Sequence, residues 1–187
     1  MPANQSVTNG GSPFRLALSP SLQNNAEIIC RLTYSAAGYT DVQYFNFKVS
    51  TDLLNLRTSR IGVTATAIGR IGFNDNSNQE GIGFQLQGKN ILGEGGLLIA
   101  TGPNTISNCV YDTSGKDNDF LKTSPIRFVT SNNNLQQANC TFTDDRAPQR
   151  VRVGVSVNQN TIAYQSSPAD RVVIYTYDTV SYTHLRA

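Results

Sequence analysis

The sequence predicts an all-β chain, and three observations carry that expectation. Apolar side chains recur with period two along short segments, the periodicity of a strand with one face buried. Clusters of Gly, Asn, Asp, Ser and Pro separate these segments at about 8 to 12 residues, the spacing of a sandwich or barrel. No amphipathic helix of useful length interrupts them, which argues against an α/β fold with a nucleotide crevice. The chain has 187 residues, one ordinary domain or two small ones. At 39% hydrophobic, with eight Tyr and eight Phe, it can build a core, while 15 Gly push much of it into turns.

Residues 1–12 are polar, Gly-rich and aperiodic, the composition of a linker. After Pro13, three β segments follow: 14–18, 26–34 and 42–49, the last favoured by Tyr44, Phe45 and Phe47. Three strands cannot close a sandwich, so residues 13–52 are read as the C-terminal part of a β-sandwich domain. Asp52 to Arg57 alone has helix-compatible composition, and the boundary between two units is placed at 52–58. Beyond it the expected strands are 61–68, 70–73, 81–86, 91–100, 107–111, 126–129, 140–143, 151–158 and 171–178. They form a second antiparallel β-sandwich-like domain over 59–179. The clearest alternators are Val151, Val153, Val155 and Val157, and Val173, Tyr175 and Tyr177. The eight residues Val180 to Ala187 resemble the translation of a transposase-based sequencing adaptor, so native sequence is expected to end near Thr179.

The formal charge of +2 and singly scattered Lys and Arg give no basic stripe, which excludes nucleic acid as the expected partner. No run approaches the roughly 18 apolar residues of a membrane helix, and the N-terminus has no signal-peptide pattern. The one histidine, His184, cannot build a multi-histidine metal site and falls in the adaptor-like tail. Without it there is no imidazole base for a serine or cysteine nucleophile, and no Gly-x-Ser-x-Gly elbow occurs. The expectation is therefore a fragment that is not catalytic by itself.

Two segments are dense in oxygen donors, Asn74 to Gly81 and Tyr111 to Phe120. Asp75 in the first, with Asp112, Asp117 and Asp119 in the second, are candidate calcium ligands, since calcium takes carboxylate and amide oxygens. Neither segment has a full calcium-loop spacing with its terminal bidentate Glu, and Asn, Asp and Ser also make turns, so hairpin turns are the preferred reading. No other cofactor is expected. Gly93-Glu94-Gly95-Gly96 runs into an apolar β stretch instead of a Lys-Ser or Lys-Thr and a helix, which favours close backbone packing over a phosphate loop. Glu94 lacks the second acid of a glycosidase pair. Among Cys30, Cys109 and Cys140, a Cys109–Cys140 disulfide and three buried thiols are equally open. Asn4-Gln5-Ser6 and Asn139-Cys140-Thr141 match the glycosylation pattern.

Gly69-Arg70-Ile71-Gly72-Phe73-Asn74-Asp75, then Gly81-Ile82-Gly83-Phe84, then Glu94-Gly95-Gly96-Leu97-Leu98-Ile99 follow one another in an order that resembles the accessory region after the catalytic domain of secreted bacterial subtilisin-like serine peptidases. Asp117-Asn118-Asp119-Phe120, Ile126 to Val129, Val153 to Gln159 and Arg171 to Tyr177 are similar to later parts of that region. The resemblance covers roughly residues 59–178 and implies a secreted or cell-surface bacterial protein. It also implies a peptidase domain upstream on the same polypeptide and a non-catalytic spacer role for this chain. The family's catalytic triad has no counterpart here. The alternative expectation is a carbohydrate-binding or adhesive module, with Tyr39, Tyr111 and Tyr164 as stacking platforms in a chain without Trp.

Overall fold

A computed structural model of the chain describes residues 11, 13–19, 22, 25–74, 80–112, 115–116 and 118–182, leaving aside the side chains of 111, 112, 115 and 116. The expected 1–12 linker and the last five residues of the adaptor-like tail lie outside the described residues, Gly11 apart.

The chain is all-β, as its periodicity predicts, with one 3-10 turn at Ala169–Arg171. β1 (Glu27–Ala36) and β2 (Tyr39–Lys48) make a hairpin that pairs with no other strand among the described residues. Gly38 supplies the positive φ of its tip. One face of the hairpin carries Ile28, Cys30, Leu32, Phe45 and Phe47, because directly opposed residues such as Cys30 and Phe45 project to the same side. Phe14, Leu16, Cys30, Leu32 and Phe45 line a shallow apolar hollow on that face.

The remaining strands form two larger antiparallel sheets and two short hairpins. In the first sheet β4 (Ile61–Thr66) is the central strand. β3 (Leu53–Arg57) pairs along one of its edges. β5 (Arg70–Ile71) and β6 (Phe84–Leu86) share the other. β7 (Lys89–Asn90) and β8 (Gly95–Gly96) extend the sheet outward from β6 and β5. The segment expected to be helix-compatible, Asp52 to Arg57, is thus a strand, because Leu54 and Leu56 fall two apart and both turn to the core. It belongs to the same sheet as β4. The short hairpins are β9 (Leu98–Gly102) with β10 (Thr105–Asn108), and β11 (Tyr111–Asp112) with β12 (Gly115–Lys116).

The second sheet is a four-stranded meander of β13 (Leu121–Ser131), β14 (Leu135–Thr143), β15 (Val155–Tyr164) and β16 (Val173–Ser181). β14, β15 and β16 pair without a register shift, whereas β13 breaks register three times around Pro125. A proline that cannot donate is tolerated there because β13 is an edge strand. Ala138, Cys140 and Phe142 on β14, and Val155, Val157 and Ala163 on β15, meet Leu56, Val63, Ala65 and Ala67 from the first sheet in one core. Phe120 packs edge-on against Phe142 at 5.0 Å between ring centroids. Val180 and Ser181, inside the adaptor-like octapeptide, pair with Ser156 and Val155.

Phe142 is fully buried while Phe45 on the hairpin is 49% exposed. Truncating Phe142 to alanine is expected to lower unfolding stability in urea by about 3–5 kcal/mol, the range for a buried aromatic. The same change at Phe45 is expected to cost about 1 kcal/mol or less, since half its surface is already in water.

Candidate functional site

The two oxygen-rich segments singled out by sequence approach one polar cleft. It has a volume of about 460 Å³ and is lined by Asn74 and Glu80 from the ends of the first segment and Asn118 from the second, with Asp52, Arg70, Lys122 and Arg146 between them. Ile68 and Leu121 provide its apolar floor.

Each wall residue is placed by a local reason. Asn74 donates its backbone N–H to the Glu80 carbonyl at 2.9 Å and its side-chain amide to Glu80 Oε2 at 2.6 Å; the turn expected between them lies outside the described residues. Arg70 opens β5 and is only 8% exposed. Its Nε donates to the Cys109 carbonyl at 2.6 Å and its Nη1 to the Asn74 carbonyl at 2.7 Å, so one guanidinium ties the start of the first segment to the chain just before the second. Lys122 Nζ forms an ion pair with Asp52 and donates to the Ser50 carbonyl at 3.0 Å. Exposed Arg146 stands on the β14–β15 connection, anchored by its backbone N–H to the Asp119 carbonyl. Three cations and two carboxylates make the cleft a polar, slightly cationic depression.

Of the candidate calcium ligands, Asp75, Asp117 and the side chain of Asp112 lie outside the described residues. Asp119 is nearly buried and used structurally: its carboxylate accepts the Asn108 N–H at 2.9 Å and its own N–H donates to the Asn108 carbonyl at 3.1 Å. Among the described residues no group of three His, Cys, Asp or Glu is arranged to hold a metal ion. Cys109 and Cys140 are separate buried thiols, donating weakly to the carbonyls of Leu97 and Thr66. Burial pushes the Cys140 thiol up to about 12. Tyr39 and Tyr164 sit on different sheets, and the Tyr111 side chain is outside the described residues.

The glycine motifs have a backbone cause. Gly81 and Gly83 both take positive φ, and a Cβ at either would stand within 3 Å of Thr64 or Asn90 side-chain atoms. A Cβ on Gly96 would meet Cys109 Sγ at 2.7 Å. Close packing, as read from the sequence, accounts for Gly95 and Gly96; Glu94 beside them is half-buried.

Sequence reasoning missed a second polar centre. Asp144 is fully buried, and Oδ2 accepts Ser107 Oγ and the Gly154 N–H, each at 2.8 Å. Its Oδ1 accepts the Val155 N–H at 2.9 Å and the Tyr182 hydroxyl at 2.8 Å. Burial opposes the charge, but the hydrogen bonds from Val155, Ser107, Gly154 and Tyr182 outweigh it and hold the carboxyl below its usual range. Burial, with the Asp144 bond, pushes the Tyr182 hydroxyl up. Partners 37 and 38 residues away leave no spacing signal to read. No imidazole stands beside the Ser107–Asp144 contact among the described residues, and the carboxylate already accepts four hydrogen bonds.

No protein-family model, curated protein or solved structure matches this chain. No helix among the described residues is long and apolar enough to cross a membrane.

Two outcomes follow from this chemistry. In native protein at neutral pH a thiol reagent such as DTNB is expected to label Cys30, which is partly exposed, and to reach Cys109 and Cys140 only after denaturation. A total of one reactive thiol in denaturant would instead reveal a disulfide. For Asp144 the folded carboxyl lies below the ordinary value of 3.8, so its charge stabilises the fold above that pH. That contribution is lost as pH falls through the folded value. Asp144→Asn is expected to cost about 2–3 kcal/mol at pH 7 and to flatten the acid limb of the stability profile, measured by urea unfolding from pH 2 to 7.

Proposed function

We propose that this chain is a non-catalytic accessory module of a larger secreted bacterial protein, a spacer that holds a subtilisin-like peptidase domain of the same polypeptide at the cell surface. The observation that carries the reading is the β1–β2 hairpin. Among the described residues two ten-residue strands pair only with each other, and large apolar residues including Ile29, Tyr44 and Phe45 remain exposed. An isolated two-stranded hairpin is marginal in water, so one with an apolar face is suited to complete a neighbouring β domain. The ordered motifs from Gly69 to Ile99 support the same reading through their resemblance to peptidase accessory regions.

In the isolated chain the hairpin amides are expected to exchange with solvent at least about tenfold faster than those of β14 and β15, and to become protected when the preceding β domain is supplied on the same polypeptide. Unchanged exchange in the longer polypeptide would remove the docking role. The purified chain is also expected to leave casein intact; hydrolysis blocked by a serine-directed inhibitor would overturn the non-catalytic assignment.

A second reading, a carbohydrate-binding or adhesive module, is favoured by the outer face of the four-stranded sheet. Asn139 Nδ2 bridges Asn158 Oδ1 at 2.7 Å and Asn160 Oδ1 at 3.2 Å there, and Thr123 and Thr141 share a hydroxyl bond at 2.8 Å. Such a row of amides and hydroxyls suits neutral sugar hydroxyls. Binding on a glycan array, abolished by Asn158→Ala, is the outcome this reading requires; a blank array eliminates it.

A further inference from the structure

The space between the two sheets changes character along β15. Val155, Val157 and Ala163 make one part of its inward face apolar, but between them the inward positions are Gln159 and Thr161. Their register partners on β16 are Tyr177 and Tyr175, which project to the same side with rings stacked at 6.4 Å. Cys140 on β14 opposes Gln159 and completes a polar seam across three strands.

Only part of this seam is satisfied by protein. Gln159 Nε2 donates to the Thr66 carbonyl across the interlayer space at 3.2 Å, and lies 3.4 Å from Thr161 Oγ1. The Thr66 carbonyl, which also accepts the weak Cys140 S–H, can only accept, so the amide faces it with its nitrogen towards β4. Gln159 Oε1 and the hydroxyls of Tyr175 and Tyr177 are then buried with no hydrogen-bond partner among the described residues. Leaving such groups unpaired costs more than a typical hydrogen bond contributes, so each of the three on this inward face calls for a partner.

The chemistry narrows what that partner is. Burial, with the neighbouring Tyr177, pushes the Tyr175 hydroxyl above its ordinary range. Burial, with the Cys109 and Cys140 thiols nearby, does the same for Tyr177. Both therefore remain neutral O–H donors at physiological pH, beside a neutral amide acceptor. An ion finds no opposite charge among these groups, and an apolar guest would leave all three unpaired. A small neutral molecule that both donates and accepts meets the requirement, and water does so with two to four bonds. We propose that Gln159, Tyr175 and Tyr177 form an internal hydration site, with ordered water hydrogen-bonded to Gln159 Oε1 and to the tyrosine hydroxyls between the two sheets.

Oxygen-17 water relaxation dispersion on the full chain tests this, with Tyr175→Phe/Tyr177→Phe as the comparison because only two hydroxyls are removed. Long-lived internal water is expected in the unaltered chain, with a reduced dispersion amplitude and a lower melting temperature in the double variant. An unchanged amplitude, or a melting temperature raised by the removal of truly unpaired hydroxyls, would overturn the proposal. Should the double variant not fold, a high-resolution crystal structure of the unaltered chain decides it. Ordered water within hydrogen-bonding distance of Gln159 Oε1 or either hydroxyl supports the site, and none at any of the three refutes it.

Discussion

The rest of the structure depends on β4 being enclosed on both faces. All six of its residues are buried, and both its edges are paired. Its inward face, Val63 and Ala65, packs under Leu56 and the residues of β14 and β15. Its other face carries Thr64, whose hydroxyl donates to Asn55 Oδ1 at 2.7 Å and accepts the Ile82 N–H at 2.8 Å. A strand covered on both sides by nearby backbone cannot have bulky residues everywhere, and β4 alternates Gly, Val, Thr and Ala between its ends. The same limit extends to Gly81 and Gly83, where the covering chain comes so close that a Cβ would strike Thr64 or Asn90.

Around this strand the connections are held by side chains bonded to distant backbone. Thr51 Oγ1 donates to the Ile126 carbonyl and the Thr51 carbonyl accepts the Ile126 N–H, which ties down β13 where Pro125 disturbs its pairing. At the opposite end, Thr58 Oγ1 reaches the Asp170 carbonyl at 2.6 Å and Ser59 Oγ reaches its carboxylate at 2.5 Å. Arg57 meets Gln136 and Gln165 in the same region. These contacts join the two sheets along the strand that follows the hairpin. The hairpin itself has less to hold it: Asn25 and Val49 close its base, and Asn25 contacts Asp52. The two-sheet body and the hairpin are therefore adjacent in sequence and separated by a few residues.

How much of this was legible depends on whether burial coincides with hydrophobicity. The all-β class and the valine alternation from 153 to 157 could be read because there the two agree. The inward face of β15 continues through Gln159 and Thr161, whose polarity hides the period. The first part of β13, before the expected strand 126–129, and the first half of β14 were hidden by Pro125 and by Gln136 and Gln137, and 91–100 read as one strand where Leu97 lies between two. Asp52 to Arg57 looked helix-compatible because Leu, Asn and Arg carry little strand propensity, and tertiary pairing with β4 overrode it. The cleft was legible only as two loops. That Arg70 would bridge them follows from β5 placing it beside the Cys109 carbonyl, a contact 39 residues apart.

Polar groups inside this fold are treated in two different ways, and the difference bears on what the interior does. At Asp144 the chain supplies its own donors: two backbone N–H groups, a serine and a tyrosine surround the carboxylate and keep it charged. The result joins the β14–β15 connection, β10 and the end of β16 through one side chain. At Gln159 the protein satisfies the amide nitrogen with Thr66 and leaves the oxygen and two phenols to the proposed water. Replacing that seam with valine and phenylalanine would suit the hydrophobic effect better, so its polarity has to be explained by what it bonds. A solvated seam at β15 and β16 gives those strands polar contacts across the layer without locking them to fixed protein donors.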